Sequence, residues 1–168
     1  ATSQLAVVEA HLEVGAEARG TIHRASESPH LMVRVAAWQA LAELGDSAMI
    51  PALTRAAAQG ESLERDVART SLTRIHGPGV HQAVLDYLQR ADTTEKAELL
   101  LALGKRGDSA ISSLLLQYAE ASEGPVRRAA LASLRHLGAS ETLLPLLDLA
   151  VAAPSAGDRS AVLKALFA

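Results

Sequence analysis

Six histidines are the first candidates for metal or acid–base chemistry in this 168-residue chain. His76 and His81 flank Gly77-Pro78-Gly79, and His23 and His30 straddle a turn. No two of them stand four apart on one helix, the spacing that puts two imidazoles on one face for zinc. Cysteine is absent and no carboxylate completes a local cluster, so the histidines are expected on the surface, with no metal and no cofactor. Glu61, Glu64 and Asp66 form a dense carboxylate group, but they fall at a helix start, where negative charge is favourable in itself. Gly104-Lys105-Arg106-Gly107-Asp108-Ser109 has glycines and a lysine in the wrong order for a phosphate loop. Neither a G-x-S-x-G elbow nor a Ser-His-Asp order is present. The expectation is a protein without catalytic residues, not an enzyme.

A second set of residues repeats. Arg34, Arg65, Lys96 and Arg127 recur at one spacing, and Arg159 stands one residue off it. Such a row could hold phosphate groups. The favoured role is a structural ladder in which each cation meets an acid or a carbonyl at a helix junction. Glu27, Glu61, Asp92 and Glu123 precede them in the matching turns. Exposed pairs of this kind add little stability singly, so the ladder would fix register. Trp38 shares a slot with Arg69, Leu100 and Leu131, and packing between repeats is its expected role.

The elements that must position these residues come from a repeat. Val33–Leu53 and Val126–Leu146 are near copies, and Gly-Asp-Ser-Ala occurs at Gly45–Ala48 and at Gly107–Ala110. Gly45, Gly107 and Gly138 fall on a 31-residue grid whose vacant node is His76, next to Gly-Pro-Gly. A fixed period of this length marks stacked units that bury their apolar faces against their neighbours. The glycine and proline stops predict about eleven helices and no strand. They run over residues 3–14, 16–26, 30–44, 47–59, 62–75, 78–91, 94–106, 109–121, 125–137, 140–153 and 158–168. In helix 30–44 the apolar spacing puts Val33, Ala36, Ala37, Ala40, Leu41 and Leu44 inside. Gly45 is expected as a left-handed C-cap and Asp92 with Glu95 as a capping box. Pro51 is expected to bend its helix and Pro145 to kink its own. The last helix is expected to cover Leu143, Leu146 and Leu147.

Composition agrees with an all-α chain. Ala and Leu dominate, and both lose little side-chain freedom in a helix. The net charge of −3, from 16 basic and 19 acidic residues, gives no electrostatic reason to expect nucleic acid. No apolar run is long enough to suggest membrane insertion. The expected compartment is cytoplasmic, with the periplasm compatible. Because the chain starts at Ala1, a fragment of a longer protein is expected.

The pattern Val33-Arg34, Ala36-Ala37, Ala40-Leu41, Leu44-Gly45-Asp46, with its copy from Val126-Arg127 to Leu137-Gly138, resembles the HEAT repeat in the short form named after phycobilisome lyases. The resemblance covers nearly the whole of residues 1–168, with degenerate copies at Arg65–His76 and Lys96–Gly107. It implies a single array, a right-handed α-solenoid of HEAT-like helical hairpins. It also implies a scaffold that binds a protein or peptide partner along a concave groove lined by the second helix of each pair. Outward positions there are Glu9, Glu13, Gln39, Glu43, Thr70, Arg74, Leu101, Lys105, Arg128, Arg135, His136 and Lys164, so the groove would run from acidic to basic. Two other roles known among such arrays are a bilin-lyase-type subunit holding a tetrapyrrole and a nucleic-acid binder. Scarce aromatics speak against the first and the negative net charge against the second.

Overall fold

The structure, a computed structural model, describes residues 15, 17–120, 124–137, 143–153 and 155–166. Among them every regular element is helical and no strand occurs. The chain divides into two compact units, Ala1–Ala83 and Val84–Ala168.

In the first unit, α1 (residues 17–26) precedes α2 (Leu31–Leu44), a 3-10 turn (Ser47–Met49), α3 (Ile50–Gln59) and α4 (Ser62–Arg74). α5 (Val80–Arg90) begins in this unit and runs into the second. α2 and α3 both pack on α4. Gly45 ends α2 at φ 66°, its N–H donating to the Leu41 carbonyl, as a left-handed cap should. A side chain there would also strike the His76 carbonyl, so the ends of α2 and α4 approach through glycine. Leu41, Ile50, Leu53, Leu72 and Ile75 fill the core, and burying each such side chain stabilises by about 1.5–3 kcal/mol.

The second unit holds the rest of α5, α6 (Thr93–Arg106), a 3-10 turn (Ser109–Ile111) and α7 (Ser112–Ala119). α8 (Gly124–Leu137), α9 (Leu143–Ala152) and α10 (Ala156–Leu166) complete it. α6 packs on α8, α7 on α8, and α10 on both α8 and α9. The α6–α8 seam is tight because Gly104 faces Ser133, and a Cβ on Gly104 would overlap that serine. The Ser133 hydroxyl hydrogen is shared between the carbonyls of Leu100 and Ala129, 2.8 Å from each, so the polar atom inside the seam is satisfied.

Several expectations need correction. Helices 47–59 and 109–121 each open as a 3-10 turn, capped at its start by Asp46 and Asp108 accepting from the Ala48 and Ala110 N–H groups. Pro51 therefore sits at the start of α3 proper, where it needs no bend. Pro145 lies in α9, and the residues before Leu143, which decide whether its missing N–H interrupts the helix, lie outside the described residues. On α2 the buried stripe is Val35, Ala37, Trp38, Leu41 and Ala42, whereas Val33, Ala36 and Leu44 are exposed. The reason is size: apolar residues occupy most of that helix, and the bulkiest, Trp38, decides which side turns inward. Leu146 is buried as expected, but Leu143 and Leu147 are exposed despite α10. The expected helix at 3–14 and the Gly138 stop lie outside the described residues.

Candidate functional site

The best-defined polar cluster is built where α2 meets α4. Arg34 presents its fork to Glu64: Nε donates to Oε1 and Nη2 to Oε2, both at 2.9 Å. Nη2 also donates to Glu61 at 3.0 Å, and Nη1 to the carbonyls of Ser28 and Pro29 at 3.0 and 3.3 Å. Trp38 Nε1 adds a third donor to the Glu64 carboxylate, at 3.0 Å. Planar two-point pairing of this kind is the geometry at which arginine differs most from lysine. The Arg34 hydrogen bond, aided by Trp38, holds the Glu64 carboxyl below the usual carboxylate range although burial pushes it up, and Glu64 in turn raises Arg34. A carboxylate so saturated with donors is a poor base. The cluster ties α2 to α4.

Glu95 stands one period after Glu64 and is equally buried, with other partners. It closes a capping box: Asp92 accepts from the Glu95 N–H at 2.8 Å, and Glu95 accepts from the Asp92 N–H at 3.2 Å. The Tyr87 hydroxyl donates to it at 2.9 Å, and the Arg90 guanidinium lies over the Tyr87 ring, 5.5 Å from its centre. The N–H groups of Glu95 and Thr94, with the Thr94 hydroxyl, hold Asp92 below its ordinary value.

The ladder residues are placed as follows. Arg34 meets Glu61 and Glu64 in the next hairpin and not Glu27, which lies 3.9 Å from His23 Nδ1. Arg159 Nε donates to the Ala150 carbonyl at 3.3 Å. Arg65, Lys96 and Arg127 are half-buried. By sequence Glu64 belongs with Glu61 and Asp66 to the carboxylates of a helix start. Its signal was an acid in the slot that Val33 and Val126 hold in other copies.

Of the outward positions, Gln39, Glu43, Thr70 and Arg74 line one open cleft between α2 and α4, with Ala42, Val67 and Ser71 as its floor and a volume of about 350 Å³. Glu43 and Arg74 meet across it at 2.8 Å, both side chains largely exposed. Glu43, of the expected acidic part, and Arg74, of the expected basic part, thus face each other. In the second unit Lys105, Arg128, Arg135 and His136 are all exposed. Arg135 shares a cleft of about 390 Å³ with Ser160, Leu163 and Lys164. Glu9 and Glu13 lie outside the described residues.

A larger cavity, about 530 Å³, opens in the second unit among Ala119, Glu120, Arg127, Pro145, Asp148, Leu149 and Val162. Among the described residues no group of three or more His, Asp or Glu side chains is placed to hold a metal ion. None of the described helices is long and apolar enough to cross a membrane. No family model matches the chain, and no curated protein is significantly similar to it.

Proposed function

We propose that the chain is a right-handed α-solenoid of HEAT-like hairpins that works without catalysis, as a scaffold binding an extended protein or peptide segment through the outward faces of its second helices. One observation carries the reading. Gln39, Glu43, Thr70 and Arg74, the outward positions of second helices that the resemblance implies, line a single open cleft between α2 and α4. Its walls offer an amide, a hydroxyl and an ion pair over a floor of small side chains. An extended segment needs such a surface, because its backbone N–H and C=O groups must find partners when they leave water. The Arg135–Lys164 cleft has the same setting in the second unit, between α8 and α10, with basic walls.

The test is site-specific photo-crosslinking in lysate. A photoreactive residue at Thr70 or Ser160 should capture a discrete protein, whereas one at Arg55, exposed on α3, should not. Capture from Arg55 alone would move the binding surface to the first helices. Strong salt-sensitive retention of nucleic acid, with no protein captured at any position, would replace a protein partner by a nucleic acid.

A further inference from the structure

α2 and α4 pack together one 31-residue period apart, and their outward faces carry the same series of side-chain types. Met32 matches Leu63, Ala36 matches Val67, Gln39 matches Thr70, and Glu43 matches Arg74. On each helix these positions advance by four, three and four residues, the spacing of one helix face. The α2–α4 cleft shows that this face is open: Gln39 and Glu43 line it from one side, Val67, Thr70 and Arg74 from the other. From the helix starts to the helix ends the face has a chemical direction. It begins apolar, with Met32 and Leu63 65% and 47% exposed. It continues with the neutral hydrogen-bonding rung of Gln39 and Thr70, and ends in the Glu43–Arg74 ion pair.

This order selects a ligand. The helix from Met32 to Glu43 rises about 16 Å, the length of about five extended residues. An amphipathic helix laid there would put its apolar stripe over the polar rungs, and its backbone, bonded within itself, would have no use for Gln39. An extended segment uses every rung. Its backbone meets the Gln39 amide and the Thr70 oxygen, whose own hydrogen is spent on the Asp66 carbonyl at 3.0 Å. Extended residues four apart share a side and lie about 13 Å from one another, so one can sit on the apolar rung while the other reaches the ion pair. Arg74 sets the sign there. It gives Nη2 to Glu43 in one bond of 2.8 Å, and its side chain stays 64% exposed. A guanidinium carries more N–H donors than that bond uses, so a second carboxylate can join Arg74 in the two-point manner of Glu64 with Arg34 while Glu43 keeps its place. A basic group would have to displace Arg74 from Glu43 to be held as well. We propose that the occupant of this cleft is an extended segment with an apolar side chain seated between Met32 and Leu63 and an acidic side chain, four residues away, on Arg74. This specificity rests on the α2–α4 cleft being the binding surface.

The test is selection of phage-displayed random peptides of about seven residues, long enough to span the face, on the 168-residue chain. A photoreactive residue at Thr70 then shows where the selected peptides bind. The expected winners carry Leu, Met, Ile or Phe four positions from Asp or Glu and are labelled from Thr70. For one such peptide, Leu63→Ser and Arg74→Glu, both at exposed positions, should keep the helical circular-dichroism spectrum and each weaken binding about tenfold. Lysine in place of the peptide's acid should restore binding to the Arg74→Glu chain and not to the Leu63→Ser chain. Peptides labelled from Thr70 that lack the pattern, or that carry a base where the acid is expected, overturn this specificity and leave the cleft as the binding surface. So does undiminished binding to the Leu63→Ser chain. A selection without winners, or winners that are never labelled from Thr70, overturns the specificity and the cleft together.

Discussion

Glu64 and Glu95 hold the same place in successive copies, third residue of α4 and of α6, and both are buried. Their bonds run in different directions. Glu64 reaches across to another helix, where Arg34 and Trp38 of α2 hold it, so its bonds are tertiary. Glu95 is held close to home, by the Asp92 N–H and by Tyr87 at the end of the preceding helix. One repeat position is thus satisfied by two chemistries. A buried carboxylate needs enough donors, and the sequence around each copy decides which side supplies them. The consequence differs by unit: in the first, the acid sets how α2 lies on α4, while in the second it mainly starts a helix.

Breaking the first arrangement should cost most at Trp38. Trp38→Ala removes a side chain only 3% exposed and one donor to Glu64, and unfolding in urea should show a loss of about 3–5 kcal/mol. Glu64→Val places at this position the residue that Val33 and Val126 supply in other copies. It strands Trp38 Nε1 in a buried site, for a loss of about 1–3 kcal/mol. Glu95→Val should cost about 0.5–2 kcal/mol, the range of a lost helix cap, since the Asp92 side chain can still accept from Thr94. Equal losses at the two sites, or a larger loss at Glu95, would erase the distinction between tertiary and local bonding. A double-mutant cycle sharpens it: Trp38→Phe should couple to Glu64→Gln and not to Glu95→Gln.

Acid should act on both sites, with a smaller effect. Glu64 and Asp92 are held below their ordinary values, chiefly by Arg34 and by the Glu95 N–H respectively. The unfolded chain therefore takes up these protons at higher pH than the folded one. Their contribution is complete above the ordinary carboxylate values, about 4, and is lost as pH falls through the lower folded values. Unfolding free energy measured from pH 7 downward should fall in that acid window. Glu64→Gln should flatten the fall by removing one of the two groups, leaving the part due to Asp92. An unchanged acid limb would mean that the Arg34 fork does little for the folded state.

The all-helical class was legible because its signals are local. The Gly45 and Gly107 caps and the Asp92–Glu95 box depend on a few neighbouring residues, and each is found at its expected place. The buried face of α2 was not legible, because alanine is apolar at nearly every angle and the period alone cannot choose a side. The partner of Arg34 was not legible either. The matching turn offers Glu27, before Arg34, while the bonds run forward to the next hairpin. The exposed leucines of α9 could not be read at all: Leu143, Leu144 and Leu147 look like core until the packing of α10 is known.

The smallest expected effect separates packing from recognition. Glu43 and Arg74 form an ion pair one period apart, at 2.8 Å, but both side chains remain about two-thirds exposed. Arg34 and Glu64 form theirs with the carboxylate side chain only 7% exposed. Solvent screens the first pair and not the second, so Glu43→Ala or Arg74→Ala should change stability by about 0–1 kcal/mol, near the limit of a denaturation measurement. Because the folded chain does not need this pair, partner binding can be read at it without interference from folding. If the α2–α4 cleft takes an extended segment, Arg74→Glu should slow association at low salt and matter little at high salt, the signature of exposed charge acting on encounter. A stability loss from Glu43→Ala as large as that from Glu64→Val would make the cleft a packing feature like its buried neighbour and remove the reason to look for a partner there.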